Sequence, residues 1–532
     1  MNDLNFNNNE NTDNLNAVPE KKNNNKKLIA FIAIATVFII AGGIGGYFVF
    51  KKPIPPAPFE PTPQAEQVGR CGDNICDAFE KANPSSCPSD CKTSSSGPTP
   101  AYGLFQLYGD EYQQFRASMG FSLSDYWNFV DRHVAKLNIR FTRTNVLLIW
   151  AMVEPVLGDV YDWNNEAKTD SVVRATYAPA PGKKMDMLLV LDPARAKGTP
   201  VEFQKSYPYG REAEWQTFVR AAVERYDGDG VADADPYVRV KYWQVMNEPF
   251  GNLDTGNLTV DEYAKLVKLT AQAIREADPE AQIVLGDTQG NIKKIVPLLQ
   301  GGDWFNAVDT HFYPEGEDYI SPAVIALRQL LDANGYADAE VWMGEMGIYA
   351  HKPRGIVHSR TLADQVRVMI KSLVINRALG AARILLVNLV SWSNFSGDPQ
   401  NLFNFMGIIS SGADSGDRPA DVGRERIAYY AYKRLIAATE TDKAELVGPR
   451  GNSTDPLRVI EFRRRADGQT FFIAWSDDAD APLNLPWNAP QAIVTNIVSD
   501  AKGNFIENTA TATNGVLSVV VGQDPLLIEP KN

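Results

Sequence analysis

Short apolar runs alternate with amphipathic stretches between residues 101 and 439. In the stretches 212–226 and 260–277, apolar residues recur at the spacing of one helix face. Strands that alternate with helices are typical of parallel sheets. The pattern therefore predicts a closed (β/α)8 barrel, with a doubly wound open sheet as the alternative. Its eight predicted strands are 102–109, 139–150, 185–192, 240–248, 281–287, 305–313, 340–347 and 382–392.

The pattern changes after residue 440, where strand-like segments follow one another without helices. Segments 459–477, 491–507 and 515–530 are strand-like and carry turn signals such as Ala-Asp-Gly-Gln. This pattern predicts a small antiparallel domain at residues 440–532, similar to a β-sandwich and packed beside the barrel at 101–439.

The chain begins with a polar segment and a long uncharged one. Residues 1–26 are rich in Asn, Asp and Lys, which predicts a disordered tail. The uncharged run at 28–50 is long enough to cross a bilayer and lacks a good signal-peptidase site, so an uncleaved anchor at 27–50 is favoured over a signal peptide. More lysines precede the run than follow it. The bias predicts a single-pass protein of the cell membrane, with a cytoplasmic N-terminus and an extracellular catalytic domain.

Residues 51–100 are rich in Pro and Ser and predict an extended stalk. The segment 71–91 within it contains all four cysteines, and it resembles short Cys-rich motifs of tethered bacterial surface proteins. Outside a membrane, four close cysteines usually form two disulfides, whereas a zinc site would favour paired Cys-x-x-Cys spacing. The disulfide candidates are Cys71, Cys76, Cys87 and Cys91.

Charge and motifs exclude some functions. The net charge of −13 argues against nucleic acid as the main partner, because phosphate binding requires a basic surface. A Gly-x-Gly-x-x-Gly loop does not follow the first predicted strand, which disfavours dinucleotide binding.

Two glutamates end predicted barrel strands. Glu248 ends the fourth strand within Asn-Glu-Pro, and Glu345 ends the seventh within Gly-Glu-Met-Gly. Functional groups of such barrels collect at the carboxyl ends of the strands, so both side chains face one mouth. Two carboxylates across one cleft are the groups that hydrolyse glycosidic bonds. A single strand-end glutamate would more simply cap or solvate the strand.

At these residues the chain resembles the clan A glycoside hydrolases, a group of retaining barrel enzymes that includes families 5, 10, 39 and 42. The resemblance implies that Glu248 is the general acid/base and Glu345 the nucleophile, with Asn247 bonding the sugar 2-hydroxyl. It also implies that Arg143 bonds the nucleophile and keeps it ionised, and Arg140 is the alternative. A retaining mechanism implies carboxyl groups about 5–5.5 Å apart.

The resemblance extends to aromatic and imidazole groups. His311 and Tyr313 match strand-six positions that orient the nucleophile and line the subsite. Trp392 resembles the strand-eight tryptophan on which the sugar stacks, and Trp150 is a further candidate for the cleft. Families 5 and 39 are the nearest, because Trp150, the Glu154-Pro155 pair and Trp163 follow their motif after strand two. For each aromatic residue, a place in the core is the alternative.

An acidic segment at 226–236 spaces its carboxylates as oxygen-ligand calcium loops do, although it lacks the full EF-hand pattern. A structural calcium site and a solvated loop are both compatible with it. Catalysis by two carboxylates requires no metal or other cofactor. The calcium-ligand candidates are Asp227, Asp229, Asp233 and Asp235.

The sequence thus predicts an extracellular, membrane-anchored retaining β-glycosidase that acts on an oligo- or polysaccharide. A catalytically inactive glycan-binding or adhesion protein on the same barrel is the alternative, as is a structural protein of the cell envelope. The presence of both Glu248 and Glu345 favours the enzyme. The sugar, the linkage and the choice between endo and exo action are not encoded in these motifs.

Overall fold

A computed structural model describes residues 99–531, apart from 106, 109–112, 166–167, 178–184, 197–202, 205–206, 235–237, 251–257, 289, 354–355, 393–401 and 452–454. The predicted tail, membrane anchor, stalk and Cys-rich module therefore lie outside the described residues. Within the described ranges, no helix has both the length and the apolar character needed to cross a membrane.

Eight parallel strands close into a barrel, which confirms the predicted architecture and excludes the open sheet. Around the ring the strands follow the order β1-β8-β7-β6-β5-β4-β3-β2, so neighbours in sequence are neighbours in space. Each of the eight predicted runs contains or overlaps one of these strands. Their bounds are β1 Tyr102–Phe105, β2 Phe141–Ile149, β3 Asp186–Asp192, β4 Tyr242–Val245, β5 Gln282–Leu285, β6 Ala307–Phe312, β7 Glu340–Gly347 and β8 Ala381–Val387.

Helices surround the barrel and begin at clear sequence signals. The longest ones, α2, α6 and α9, start with capping boxes at Ser122, Thr259 and Thr361, whose side chains accept the backbone N–H three residues later. The helices are α1 Gln113–Met119, α2 Leu123–Leu137, α3 Trp150–Val153, α4 Thr169–Tyr177, α5 Glu212–Glu224, α6 Val260–Ala277, α7 Ile292–Leu298, α8 Pro322–Ala333, α9 Leu362–Ala378, α10 Phe403–Met406 and α11 Ile427–Thr439.

The C-terminal region is antiparallel, as the sequence predicts. A six-stranded sheet has the order β9-β10-β11-β16-β13-β14, and β12 pairs with β15 as a second sheet. Phe472, Leu485 and Leu517 belong to one apolar cluster between the two sheets. The strands are β9 Ala444–Arg450, β10 Leu457–Arg464, β11 Thr470–Ser476, β12 Ala481–Pro486, β13 Gln491–Asn496, β14 Ile506–Thr511, β15 Val516–Val521 and β16 Leu526–Pro530.

Strand β7 contains a bulge that determines where its glutamate points. Asp309 of β6 pairs with Trp342, but His311 pairs with Glu345, so β7 gains one residue over β6. The pairing of β7 with β8 shifts at the same place. A bulge re-aims the side chains beyond it, and this bulge directs Glu345 into the barrel mouth.

A partly buried polar junction joins the barrel to the C-terminal domain. The carboxylate of Asp477 in the C-terminal domain accepts hydrogen bonds from Tyr319 and Lys371 of the barrel. It also accepts from Trp475 at 3.1 Å and from Arg458 at 3.2 Å. Hydrogen bonds to charged groups contribute about 1.5–3 kcal/mol each, so this carboxylate is a main polar link between the domains.

We expect Asp477→Asn to lower the free energy of unfolding by about 1–3 kcal/mol, because Lys371 and Arg458 lose the charge that faces them. Urea denaturation measures the effect. The control is Asp478→Asn at the exposed next position, which should stay within about 0.5 kcal/mol of the wild type. Equal stability of the two variants would contradict this role of Asp477.

Candidate active site

The two glutamates reach the mouth from opposite sides of the barrel. Strand β4 ends at Val245, and Met246 then adopts a left-handed φ of 59° before Asn247 and Glu248. Glu345 lies within β7, at the bulge described above. Both carboxylates are buried, with 5 % and 6 % of the residue exposed. Backbone strain beside polar groups is typical of functional sites.

Both carboxylate oxygens of Glu345 accept hydrogen bonds. Arg143 donates from Nη1 to Oε1 at 2.9 Å, and the Tyr313 hydroxyl donates to Oε2. The other guanidinium nitrogen, Nη2 of Arg143, donates to the side-chain oxygen of Asn247. The structure thus places Arg143 against Glu345, whereas Arg140 pairs with Asp442 at 3.1 Å. Burial and the Glu345 carboxylate raise the pKa of Tyr313 well above its ordinary value, so the hydroxyl keeps its proton.

Glu248 is bonded to His311. Nδ1 of His311 lies 2.7 Å from Oε1 of Glu248 and 3.6 Å from Oε2 of Glu345. Its Nε2 lies 3.3 Å from Asp309. Burial alone would lower the pKa of His311, but the carboxylates of Glu345 and Asp309 outweigh it and raise this pKa well above 6.5. His311 is therefore an imidazolium at neutral pH, with a cation between the two candidate catalytic acids.

Asp309 is a buried carboxylate that the sequence analysis did not identify. Besides its 3.3 Å ion pair with His311, it accepts hydrogen bonds from the backbone N–H of Gly344 at 2.6 Å and from the side-chain amide of Gln244 at 3.2 Å. A β-carbon on Gly344 would overlap this carboxylate, so the position beside Glu345 requires glycine. The available signal was the alternation Asp309, His311, Tyr313, which places three polar side chains on one face of β6.

Asp287 is a second carboxylate that the sequence analysis missed. It follows β5, and its Oδ2 lies 3.9 Å from Nδ1 of His311. Single oxygens of Asp287 and Glu248 lie within 4.8 Å of each other and of a His311 nitrogen. The three side chains thus form one compact cluster of titratable groups beside Glu345. The only available signal was a polar residue at the carboxyl end of a barrel strand.

Gly286 allows the backbone before Glu248 to pack against β5. A β-carbon at Gly286 would overlap the carbonyl oxygens of Met246 and Asn247. The Tyr263 hydroxyl accepts the N–H of Gly286 at 3.0 Å and donates to the carbonyl of Val245 at 2.9 Å. This close contact fixes the turn that presents Glu248.

The aromatic candidates have different locations. Trp392 follows β8, and its ring stacks on Phe403 at 4.4 Å and 18°. Phe403 in turn meets the edge of Tyr313 at 5.7 Å. Trp392 therefore lies one ring away from the group that binds Glu345, although it is buried and one face is covered by Phe403. The stacking of a sugar on Trp392 stays a prediction.

The prediction that Trp150 lines the cleft is wrong in this structure. Trp150 is fully buried and packs 5.8 Å from Trp215 of α5. Its indole N–H donates to Glu154 at 2.5 Å, and the N–H of Gly158 donates to the same carboxylate at 2.6 Å. The motif after β2 therefore stabilises the loop to which it belongs, because the indole of Trp150 is hydrogen-bonded to Glu154.

The acidic segment forms a tight loop. Carboxylate oxygens of Asp227, Asp229 and Asp233 lie within 4.8 Å of one another, and Asp233 accepts the N–H of Gly228 and of Gly230. Burial, with further repulsion from nearby carboxylates, raises the pKa of Asp227 to about 6. Asp235 lies outside the described residues. Calcium binding by this loop stays a prediction.

Comparison with known proteins identifies the fold. No family model and no curated protein sequence matches the chain. Among solved structures, a family 39 glycoside hydrolase from Bacteroides cellulosilyticus WH2 is similar, with a TM-score of 0.57 and 16% identity, over 81% of this chain and 80% of that one. The chain shares the fold of this structure, a closed parallel barrel followed by an antiparallel β domain.

Two further structures share that fold. A family 39 β-xylosidase from Caulobacter crescentus has a TM-score of 0.54 and 16% identity, over 82% of this chain and 98% of that one. An α-L-arabinofuranosidase from Thermotoga maritima has a TM-score of 0.53 and 13% identity, over 81% and 96%. At such low identity the likeness is one of fold, and the activity is argued from the site.

We expect Gly286→Ala to lower kcat/KM on any substrate at least tenfold, because the added methyl displaces the backbone that carries Glu248. Steady-state kinetics measures the loss. The control is Gly335→Ala after α8, where a left-handed φ of 81° strains the backbone but the methyl would meet no atom. That variant should lose stability and keep its activity, and a similar loss of activity in both variants would contradict the interpretation.

Histidine titration tests the charge at the site. The chain has four histidines. We expect the imidazole resonances of His311 to remain those of the protonated ring at pH 7.5. Burial lowers the pKa of His133 to about 4, so this ring should stay neutral down to about that pH and serve as an internal control. Nitrogen-15 NMR measures both, and a His311 ring that loses its proton near pH 6.5 would refute the assigned charge.

Proposed function

We propose that the protein is a retaining glycoside hydrolase that cleaves β-linked saccharides, with Glu345 as the nucleophile and Glu248 as the general acid/base. The observation that carries the proposal is the asymmetry of the two carboxylates. Glu345 is bonded by a guanidinium and a phenol, groups that stabilise an anion ready to attack. Glu248 is bonded to His311 and lies beside Asp287.

The distance between the acids favours retention of configuration. One oxygen of Glu248 and one of Glu345 lie 2.7 Å and 3.6 Å from the same nitrogen of His311. These two oxygens are therefore closer than the roughly 6.5–9.5 Å that inverting enzymes need to fit a water molecule. A direct attack by Glu345 fits this space.

The reaction then has two steps. Glu345 attacks the anomeric carbon as Glu248 transfers its proton to the leaving oxygen, so the glycosidic bond breaks and a glycosyl ester of Glu345 forms. In the second step Glu248 removes a proton from water, and the resulting hydroxyl attacks the anomeric carbon. The ester bond breaks, the sugar is released, and Glu248 holds a proton again.

The surrounding groups orient these atoms. Arg143 and Tyr313 fix the carboxylate of Glu345 and stabilise its charge when it leaves in the second step. The amide of Asn247 is positioned by Arg143, and its nitrogen then serves the sugar 2-hydroxyl beside Glu248. These contacts hold two reacting groups in one geometry without help from solvent.

The loops at the mouth differ in charge. Those after β3 and β7, at 193–211 and 348–361, contain Lys and Arg. The loops after β4, β5, β6 and β8, at 246–259, 286–291, 313–321 and 388–402, contain acidic residues and neither Lys nor Arg. A sugar acid would meet repulsion there, whereas a neutral pentose or hexose would not. The charge of the loops is thus consistent with substrates such as xylosides, glucosides and arabinosides.

The proposed location is the outer face of a cell membrane. It rests on the uncharged run at 28–50 and on the lysines that precede it. A polymer outside the cell is then the accessible substrate.

Hydrolysis of aryl glycosides tests the function. We expect the full chain to release the aryl group from at least one neutral aryl glycoside in a panel of β-xyloside, β-glucoside, β-galactoside and β-mannoside. We expect Glu345→Gln to lower kcat by at least about a thousandfold on a dinitrophenyl glycoside. Glu248→Gln should lower kcat by at least about a thousandfold on a glycoside with a poor leaving group. The control is Glu340→Gln at the opposite end of β7.

The leaving group separates the two roles. Glu248→Gln should retain more activity on a dinitrophenyl glycoside than on an alkyl glycoside, because an acidic leaving group needs no proton. Glu345→Gln should lose both activities equally. Glycan binding by all three proteins without hydrolysis of any glycoside would instead support an inactive binding protein.

A further inference from the structure

Arg360 is a buried arginine in the loop between β7 and α9, with 3 % of the residue exposed. Its backbone exchanges two hydrogen bonds with the backbone of His351, at 2.6 Å and 2.9 Å. Its guanidinium lies over the ring of Tyr349, 4.1 Å from the ring centre. Tyr349 and His351 follow closely after the end of β7, so Arg360 is fixed to the strand that carries Glu345.

The guanidinium of Arg360 binds a different loop, the one after β6. Its Nη2 donates to the carbonyl of Pro314 at 2.9 Å and to the carbonyl of Gly316, and its Nε donates to Gly316 at 3.1 Å. Pro314 directly follows Tyr313, whose hydroxyl donates to Glu345. Arg360 therefore joins the ends of β6 and β7 just beyond the two residues that bond each other in the mouth.

The backbone of Tyr313 depends on its loop for support. The pairing of β6 with β7 ends at Phe312 and Met346, so Tyr313 lies beyond the last pair of the sheet. Its ring packs against Gly347, where a β-carbon would overlap it, but this contact does not bind the backbone that carries the ring. Hydrogen bonds from a charged donor are about twice as strong as neutral ones. The bonds from Arg360 to the following carbonyls thus provide the missing support.

We propose that Arg360 is a positioning residue that places the hydroxyl of Tyr313 at Glu345, and thereby assists the departure of Glu345 from the glycosyl ester. The inference rests on the proposed function, in which Tyr313 stabilises the charge of Glu345 as it leaves in the second step. Arg360 touches no reacting atom in this scheme and acts through Tyr313. Misplacement of a supporting group by about 1 Å can lower a rate on the order of a hundredfold, so a distant arginine can affect turnover.

A double-mutant cycle tests the proposal. The substrate is a dinitrophenyl glycoside, because its good leaving group makes the second step limit kcat. We expect Arg360→Met to lower kcat about tenfold without raising KM. Tyr313→Phe should also lower kcat, but adding Arg360→Met to it should lower kcat by less than about twofold, because the hydroxyl to be positioned is gone. An equal loss in both backgrounds, or no loss in the wild-type background, would overturn the proposal.

The matched control is Arg328→Met. Arg328 is a buried arginine of α8 that donates to the carbonyls of Tyr336, Ala337 and Ala339, so it binds the loop at the opposite end of β7. Its substitution should lower the melting temperature, as that of Arg360 does, and leave kcat within about twofold of the wild type. An equal loss of kcat in both variants would mean that Arg360 is only structural and would overturn the proposal.

A conservative variant guards against a failure to fold. Arg360→Lys keeps the positive charge and a donor for one carbonyl, so it should retain more of the wild-type kcat than Arg360→Met. If Arg360→Met does not fold, Arg360→Lys takes its place in the cycle and in the measurement below, with the same outcomes deciding.

A second measurement does not need turnover. Carbon-13 NMR of the full chain labelled at the tyrosine Cζ carbons reports the hydrogen bond of the Tyr313 hydroxyl, and loss of one signal in Tyr313→Phe assigns it. Arg360→Met should move this signal toward its position in Glu345→Gln, whereas Arg328→Met should leave it in place. An unmoved signal in Arg360→Met would overturn the proposal. If no glycoside is hydrolysed, the proposed function fails, but this signal still decides whether Arg360 positions Tyr313.

Discussion

A guanidinium buried inside a barrel requires hydrogen-bond acceptors and opposite charges on the strands around it. Arg143 places this requirement on the residues of the whole mouth. Only 1 % of the residue is exposed. Its two terminal nitrogens reach Glu345 of β7 and Asn247 beyond β4, while its charge lies 5.1 Å from the ring of Phe105 on β1. Loss of one partner from a buried ion pair is costly, because the other charge is then left without compensation. The strands can therefore assemble in few other registers.

Signs alternate outward from this cation. Arg143 faces Glu345, Glu345 faces His311, and His311 faces both Asp309 and Glu248. Each buried charge thus has an opposite charge beside it, as burial demands. In a low-dielectric mouth these interactions act over short distances without much screening by salt. Hydrogen bonds from Gly344 and Gln244 hold Asp309 in place, and with it this network of charges.

The fold was predictable from the sequence because periodicity and strand length are local properties. The eight apolar runs indicated the eight strands, and the Asn-Glu and Gly-Glu motifs indicated the mouth. Asp309 and Asp287 were missed because their importance comes from His311, which lies beside them only after the barrel closes. The orientation of Glu345 depends on a bulge in β7, and no local pattern identified that bulge. Trp150 was misplaced for a related reason, since a motif does not say which face of its loop will be buried.

The sharing of one guanidinium between Asn247 and Glu345 has a consequence for how this site can change. In the proposed mechanism, a substitution at Asn247 that suits a different sugar also removes one hydrogen-bond acceptor of Arg143, and the guanidinium can then move relative to Glu345. Sugar preference and nucleophile strength would thus be coupled rather than separable traits. In an evolving lineage, or in a library of engineered variants, beneficial changes at these two strands will show epistasis. New specificities should arise more readily from the loops around the mouth, which leave the shared cation undisturbed.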